Sequence, residues 1–313
     1  MPKQPPLALS PEPMSGLKTL PVCVFDGGWN LPLWAAIEQG FFELRGLAVE
    51  LTLTPNSRAM MQGFAEGHYP LILVSADNVV AYQQNLAEVP VPGEPDAVIV
   101  LGGDAGFLSL VAAPGIRTLD DLRGRVLAVD APDTGFALVL YQLLAQAGLP
   151  QASLRIEPQG STEQRYQALL AGRCAATLLR TPYELLAAQQ GCRVLARSAD
   201  ALPRYQGTVG ATRQAWAEQH PAELKAFLQA YRQGLAWCRR QPVEACALLQ
   251  AHVPGLDPGL ARAAYGLLMD PSHGLTPDLA VDRQGMQTVL ALRRRYLPAT
   301  QGRQERLQYR ASW

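Results

Sequence analysis

LPVCVFDGGWNLPLWAAIEQGFFELRGLAVELTLT, running from Leu20 to Thr54, decides how this chain folds. It opens on an apolar, β-leaning run, Leu20 to Phe25, which stops at the glycine pair Gly27-Gly28. A helical stretch follows from Leu31 to about Phe41, then a second β-leaning run from Ala48 to Leu53. Strand, glycine loop, helix, strand is the order of a right-handed βαβ unit. The first loop of such a unit lies at the carboxyl edge of the sheet, where open α/β folds bind ligands. Asp26, Trp29 and Asn30 occupy that loop and offer an acid, an indole and an amide. The loop suits a small molecule.

Working outward, the alternation continues. A helix is expected over 56–67 with Ser57 as a possible cap, a buried parallel strand at Leu71 to Val74, and a helix at 79–85. Three prolines within 90–95 put that segment outside regular structure, and a strand returns at 97–101. The pattern then restarts. Strands are expected at 109–112, 125–129, 154–156, 175–179 and 194–196, with helices at 134–147, 162–170 and 183–189 between them. Residues 203–210 read as a return strand with a glycine turn, and everything after Ala211 as helical between proline and glycine breaks. The inference is an α/β fold of two lobes joined by two crossovers, near 102–106 and 203–207. Such a hinge supports closure around a ligand.

Composition removes several function classes. Hydrophobic residues make up 48% and charged residues 17%, as in a well-packed soluble protein, and no apolar run approaches the ~20 residues of a membrane span. Lys+Arg and Asp+Glu are equal at 27 each, so no net field steers the chain towards nucleic acid. The run Arg293-Arg294-Arg295 reads as a solvated helix end. Five cysteines contain no C-x-x-C pair and are expected to be mostly buried, reduced thiols. The proline-rich start, residues 1–18, reads as a disordered lead-in without the apolar core of a signal peptide.

Several phrases resemble a family. "AAIEQGFFELRGLAVELT" looks like the opening of the SsuA/THI5-like (NMT1/THI5-like) substrate-binding proteins. "RTLDDLRGRVLAVDAPDTGFALVLYQLLAQAGL" (117–149), "GSTEQRYQALLAGRCAATLLRTPYELLAAQQGCRVLA" (160–196) and "YQGTVGATRQAWAEQHPAELKAFLQAYRQGLAW" (205–237) resemble successive later segments of that family, in order. The resemblance implies the type II periplasmic-binding fold, each lobe a mostly parallel sheet flanked by helices. Lobe I would comprise 19–103 and 207–313, and lobe II 104–206. It further implies a monomeric solute-binding protein that works with an ABC permease and ATPase, has no cofactor or metal, and is exported to the periplasm. A chain without a signal peptide leaves the cytoplasm as the alternative.

Six loops are candidates for the site. Trp29 is expected to stack a planar ligand, with Asp26 and Asn30 beside it. Thiamine-pyrimidine-precursor binders of this superfamily have adjacent Asp and Trp and a later His, a pattern this chain departs from by inserting Gly27-Gly28 and placing Leu33-Trp34 further on. Asn56 and Ser57 either face the ligand or cap the helix behind them. Ser75, Asp77 and Asn78 end a strand, and the resemblance puts their loop in the cleft. Asp133, Thr134 and Gly135 open a helix whose unsatisfied N–H groups form an anion site, unless the Asp133 carboxylate caps it first. Arg180, with Tyr183 after it, emerges at a strand end. Its planar fork suits a sulfonate or carboxylate ligand, or else pairs with Asp133 or Asp130 across the cleft. Tyr205 lies at the return crossover.

No G-x-S-x-G, P-loop or H-E-x-x-H occurs, and His68, His220, His252 and His273 have no partner at metal-ligand spacing. The sequence therefore reads as a binding protein rather than an enzyme. Its expected ligand is a sulfonate, aromatic carboxylate or similar anion, held by Arg180 and the Thr134-Gly135 helix start. The acids Asp26, Asp77, Asp130 and Asp133 would instead suit an amine-bearing heterocycle, and a cytoplasmic enzyme or sensor on the same scaffold is the other class.

Overall fold

The computed structural model describes residues 16–86, 93 and 95–297. Most of the 1–18 lead-in and of the 90–95 proline segment lies outside them, although the first strand already begins at Lys18. Five strands form the first sheet: β1 (Lys18–Val24), β2 (Leu47–Leu53), β3 (Leu71–Ser75), β4 (Ala97–Gly102) and β10 (Thr208–Arg213), in the order β2-β1-β3-β10-β4. The second contains β5 (Leu108–Ala112), β6 (Val126–Val129), β7 (Arg155–Pro158), β8 (Ala176–Arg180) and β9 (Arg193–Arg197), in the order β7-β6-β8-β5-β9. β1 runs parallel to β2 and β3, and β6 parallel to β7 and β8.

The sheets are mixed, and for the same reason. β10 is antiparallel to β3 and β4, and β5 is antiparallel to β8 and β9. Each of these strands is the first to follow a crossover from the other lobe, so it enters its sheet from the hinge end. Strands such as β4 (AVIVLG), at a sheet edge, and the central β8 (ATLLR) are buried throughout, which is why they read as continuous apolar runs rather than alternating ones. The two crossovers lie side by side, joined by Gly103 N–H to the Thr208 carbonyl at 2.8 Å and Gly207 N–H to the Asp104 carbonyl at 3.0 Å.

Helices cover the sheets: α1 (Leu31–Glu38), α2 (Ser57–Ala65), α3 (Ala76–Gln83), α4 (Gly135–Gln146), α5 (Thr162–Leu170), α6 (Tyr183–Gln189) and the short α7 (Ser198–Ala201). α7 falls between the strand read from sequence at 194–196 and the return strand read from 203. The C-terminal part supplies α8 (Gln214–Gln219), α9 (Pro221–Arg240), α10 (Pro242–His252), α11 (Pro258–Leu268) and α12 (Arg283–Tyr296). α9 buries Leu224, Phe227, Ala230, Tyr231, Gly234, Leu235 and Cys238, a single stripe at helical spacing, against α1. Pro221, Pro242 and Pro258 each start a helix, because a first-turn residue needs no intrahelical N–H bond.

Three expectations change. Asn56, not Ser57, caps α2, its Oδ1 accepting the Ala59 N–H at 2.8 Å. α3 begins three residues earlier than the periodicity predicts, directly at the end of β3. Of the basic run, Arg293 is buried inside the molecule rather than solvated. All five cysteines are free, and four of them are buried.

Candidate functional site

The carboxyl ends of β1, β3, β6 and β8 converge between the lobes on a small cavity of about 30 Å³. A single water needs roughly 10–15 Å³ on that measure, so the space holds a few at most. The lobes are therefore in contact. A Cβ on Gly135, the first residue of α4, would lie 2.4 Å from Asp77 Cβ and 2.9 Å from Ser75 Oγ, so only glycine permits this approach of one lobe to the other.

From the first lobe come Phe25, Trp29, Ser75, Asn78 and Thr208. The turn that carries Trp29 depends on Gly27 at φ +153°, where an added Cβ would collide with the indole at 2.1 Å. The ring folds back over that glycine and lies 3.9 Å from the Arg180 guanidinium carbon. The Ser75 hydroxyl is buried with no hydrogen-bond partner. From the second lobe come Asp130, Gly135, Phe136, Ser161, Thr162, Arg165 and Arg180.

The two arginines have different company. Arg180 is ion-paired with Asp104 at 2.6 Å, and the other Asp104 oxygen accepts the Gly106 and Thr208 N–H groups at 2.8 and 3.1 Å. Its partner is thus the hinge acid, not Asp130 or Asp133, which follow β6 in its own lobe. Trp29 and Phe107 (4.7 Å) flank its guanidinium, and its Nε has no hydrogen-bond partner. Arg165, only 2% exposed, donates to the Leu178 and Gly160 carbonyls and the Thr162 hydroxyl. No carboxylate among the described residues lies within ion-pair distance of it. Burial works against its charge, and the nearby Asp130 partly restores it.

Thr134 is the N-cap residue of α4 but does not cap it. Its hydroxyl donates towards Asp130 Oδ1 at 2.6 Å and the Ala131 carbonyl at 2.9 Å. Asp133 is exposed and does not cap the helix either. The first turn of α4 therefore opens on the cavity with no side chain on its N–H groups, next to Arg165.

Of the residues singled out from sequence, Trp29, Ser75, Asn78, Gly135 and Arg180 line this cavity. Ser57, Asp77, Asp133 and Thr134 instead border a neighbouring gap of about 20 Å³. There Asp77 is committed to Arg293 of α12, with both carboxylate oxygens 2.9 Å from Nη1. Asp26 and Tyr183 bond one another across the lobes, the Tyr183 hydroxyl donating to Asp26 Oδ2 at 3.0 Å; burial and that carboxylate push the phenol's pKa up. Asn30 donates to the Phe25 carbonyl at 2.7 Å and holds its own turn, while Asn56 serves α2. Tyr205 is buried in the second crossover, against Gly106, outside the cavity lining.

Sequence reasoning missed Arg165. A signal existed, because Ser161 and Arg165 are one helical turn apart and so share a face. Ser161 opens α5 in a capping box with Gln164, which brings that face to the cleft.

No curated protein sequence matches the chain. Solved structures share its fold. A protein from Bordetella bronchiseptica RB50 superposes with a TM-score of 0.78 at 19% identity, covering 93% of this chain and 94% of that one. The nitrate-binding protein NrtA from Synechocystis PCC 6803 gives 0.74 at 15%, covering 91% and 83%. The alkanesulfonate-binding protein SsuA from Xanthomonas axonopodis pv. citri, bound to MOPS, gives 0.72 at 17%, covering 92% and 94%. The NMT1/THI5-like family profile matches residues 30–245, well over half of the sequence, and with the two-lobe fold around it this assigns the chain to the NMT1/THI5-like family.

Proposed function

We propose that this chain is the solute-binding component of an ABC importer and closes its lobes on a small organic anion, a sulfonate, aromatic carboxylate or similar. The single observation that carries the reading is Arg165, a buried guanidinium lining the cleft without a carboxylate partner, beside the uncapped start of α4. A buried unpaired charge is costly, and an anionic ligand head supplies the missing partner. Trp29 supports the reading by lining the same cleft with an aromatic edge. Two of the related structures are, by name, an alkanesulfonate-binding and a nitrate-binding protein, both anion binders. The sequence-level anchor shifts accordingly. Arg180 already has Asp104, so Arg165 takes the role of principal anion partner, with the Gly135 end of α4.

The cavity of about 30 Å³ belongs to lobes in contact, so a ligand larger than a few waters holds them further apart than here. Capture followed by hand-over to a permease and its ATPase, on the far side of a membrane from the cytoplasm and by a monomer, completes the reading. No catalytic step is assigned to the chain.

Calorimetric titration with methanesulfonate, benzoate, nitrate and an aminopyrimidine tests it, on wild type and on Arg165→Ala. Binding of at least one anion, lost in the variant while the fold persists, is the expected result. Binding of the aminopyrimidine alone overturns the anion assignment and returns the weight to Asp130 and a heterocycle. No binding across a broad anion series overturns the assignment as well.

A further inference from the structure

Behind the cleft the two lobes border a second, open cavity of about 300 Å³, far roomier than the cleft and at the lower end of small-molecule sites. The stacked pair Arg180 and Phe107 is the partition, since Arg180 lines the cleft and Phe107 the second cavity. Its walls are the first crossover (105–109), the start of α6, the corner between β9 and α7, and, from the other lobe, the end of α11 with the loop after it. Part of the lining is apolar, with Phe107, Leu108 and Leu267. The lining also bears three carboxylates, Glu184, Asp200 and Asp270, against one guanidinium, Arg197, together with His273.

Two of those acids are already employed. Asp200 accepts the Arg197 N–H at 2.7 Å, and Asp270 accepts the Ser272 and His273 N–H groups at 2.9 and 2.8 Å. Glu184 is not fully employed. It is 3% exposed; Oε1 accepts the Thr181 hydroxyl at 2.7 Å, while Oε2 is buried with no hydrogen-bond partner. Buried polar atoms are nearly always paired, so a carboxyl that lines a roomy cavity and has an orphan oxygen asks for a donor. The excess of carboxylates selects a cationic donor, and the apolar wall selects one with a compact hydrocarbon body.

We propose that this hinge-side cavity is a second binding site, for a compact organic ammonium whose N–H donates to Glu184 while its hydrocarbon body packs on Phe107 and Leu267. The site is separate from the anion cleft and stands whether or not the cleft takes an anion.

Benzylamine is the probe, titrated into the full chain by calorimetry, with benzyl alcohol as its neutral counterpart. The expected result is one benzylamine bound per chain, with benzyl alcohol at least tenfold weaker. Glu184→Gln removes the anionic acceptor, and Ala199→Phe fills the cavity from α7 without touching the carboxyl. Each is expected to weaken benzylamine at least tenfold, and either suffices if the other does not fold. Arg165→Ala, which alters the cleft alone, is expected to leave benzylamine binding intact. Absence of benzylamine binding, binding that survives in a folded Glu184→Gln or Ala199→Phe variant, or loss of binding in a folded Arg165→Ala variant overturns the proposal.

Discussion

Arg165 and Arg180 line the same cavity, yet removing them should do different things. Arg180→Ala strands the buried Asp104 carboxylate in the hinge, and breaking a buried pair by deleting one partner costs about 3–5 kcal/mol. Arg165→Ala strands only backbone carbonyls and one hydroxyl, about 1–3 kcal/mol. Urea denaturation should therefore rank Arg180→Ala as the less stable variant. Titration should find Arg165→Ala the poorer anion binder, by roughly 10–100-fold for the loss of a charged hydrogen bond. Glu184 makes a pH-dependent prediction. Burial holds its carboxyl at about 7 against 4.5 for a free glutamate, while Thr181, Arg197 and Arg180 pull it down. The folded state binds the proton more tightly than the unfolded chain. Its stability contribution is therefore fully present below pH 4.5, declines as pH rises towards 7, and amounts to about 3 kcal/mol lost in all. Glu184→Gln should flatten the melting temperature across that window. The sequence placed Arg180 at the end of a buried strand and Asp104 inside the first crossover. It could not pair them, because the ion pair joins positions 76 residues apart through the fold of two lobes.

Among the elements, α12 shows what periodicity reveals and what it conceals. Its helical run with a basic end was legible, and it forms over Arg283–Tyr296. The inward turn of Arg293 was not, because nothing local distinguishes it from Arg294 and Arg295. Its partner Asp77 lies 216 residues away on α3. Through that pair α12 is fastened to α3, and through the Tyr296 hydroxyl, 2.9 Å from Gln142 Oε1, it reaches α4 in the other lobe. Arg293→Leu leaves Asp77 buried without its bidentate partner and should cost about 3–5 kcal/mol in urea denaturation. Adding Asp77→Leu removes the stranded charge, so the double variant should recover much of that loss. Simple additivity of the two single changes would show that the pair is not coupled. The strands were easier. Buried runs such as β3 and β4 are short, apolar and bounded by turn residues, so composition alone marks them. The antiparallel direction of β5 and β10 depends on how the crossovers deliver them, a property of the whole topology.

At the scale of the whole molecule, binding is a matter of how far the lobes part. The ties that hold them together here include the Gly135 approach to Ser75 and Asp77, the α12 bridge, the Trp29–Arg180 stack, the Gln189–Asp257 hydrogen bond, the Arg204–Asp282 ion pair and the Tyr183–Asp26 hydrogen bond. The last is the most selective to remove. Tyr183 packs its ring near Tyr166 within its own lobe, so Tyr183→Phe keeps that contact and deletes only the bond between lobes. A hydrogen bond to a charged group contributes about 1.5–3 kcal/mol net, which corresponds to roughly 10–100-fold in the ratio of open to closed forms. The ligand-free variant should therefore scatter X-rays as a more extended particle than the wild type, with little change in the stability of either lobe. A ligand larger than a few waters holds the lobes further apart than here, so the bond competes with it and its apparent affinity should rise by up to the same factor in the variant. Identical scattering profiles for wild type and Tyr183→Phe would mean that the bond does not hold the lobes, and that the remaining contacts between them, the Arg204–Asp282 pair and the α12 bridge among them, set the closed geometry.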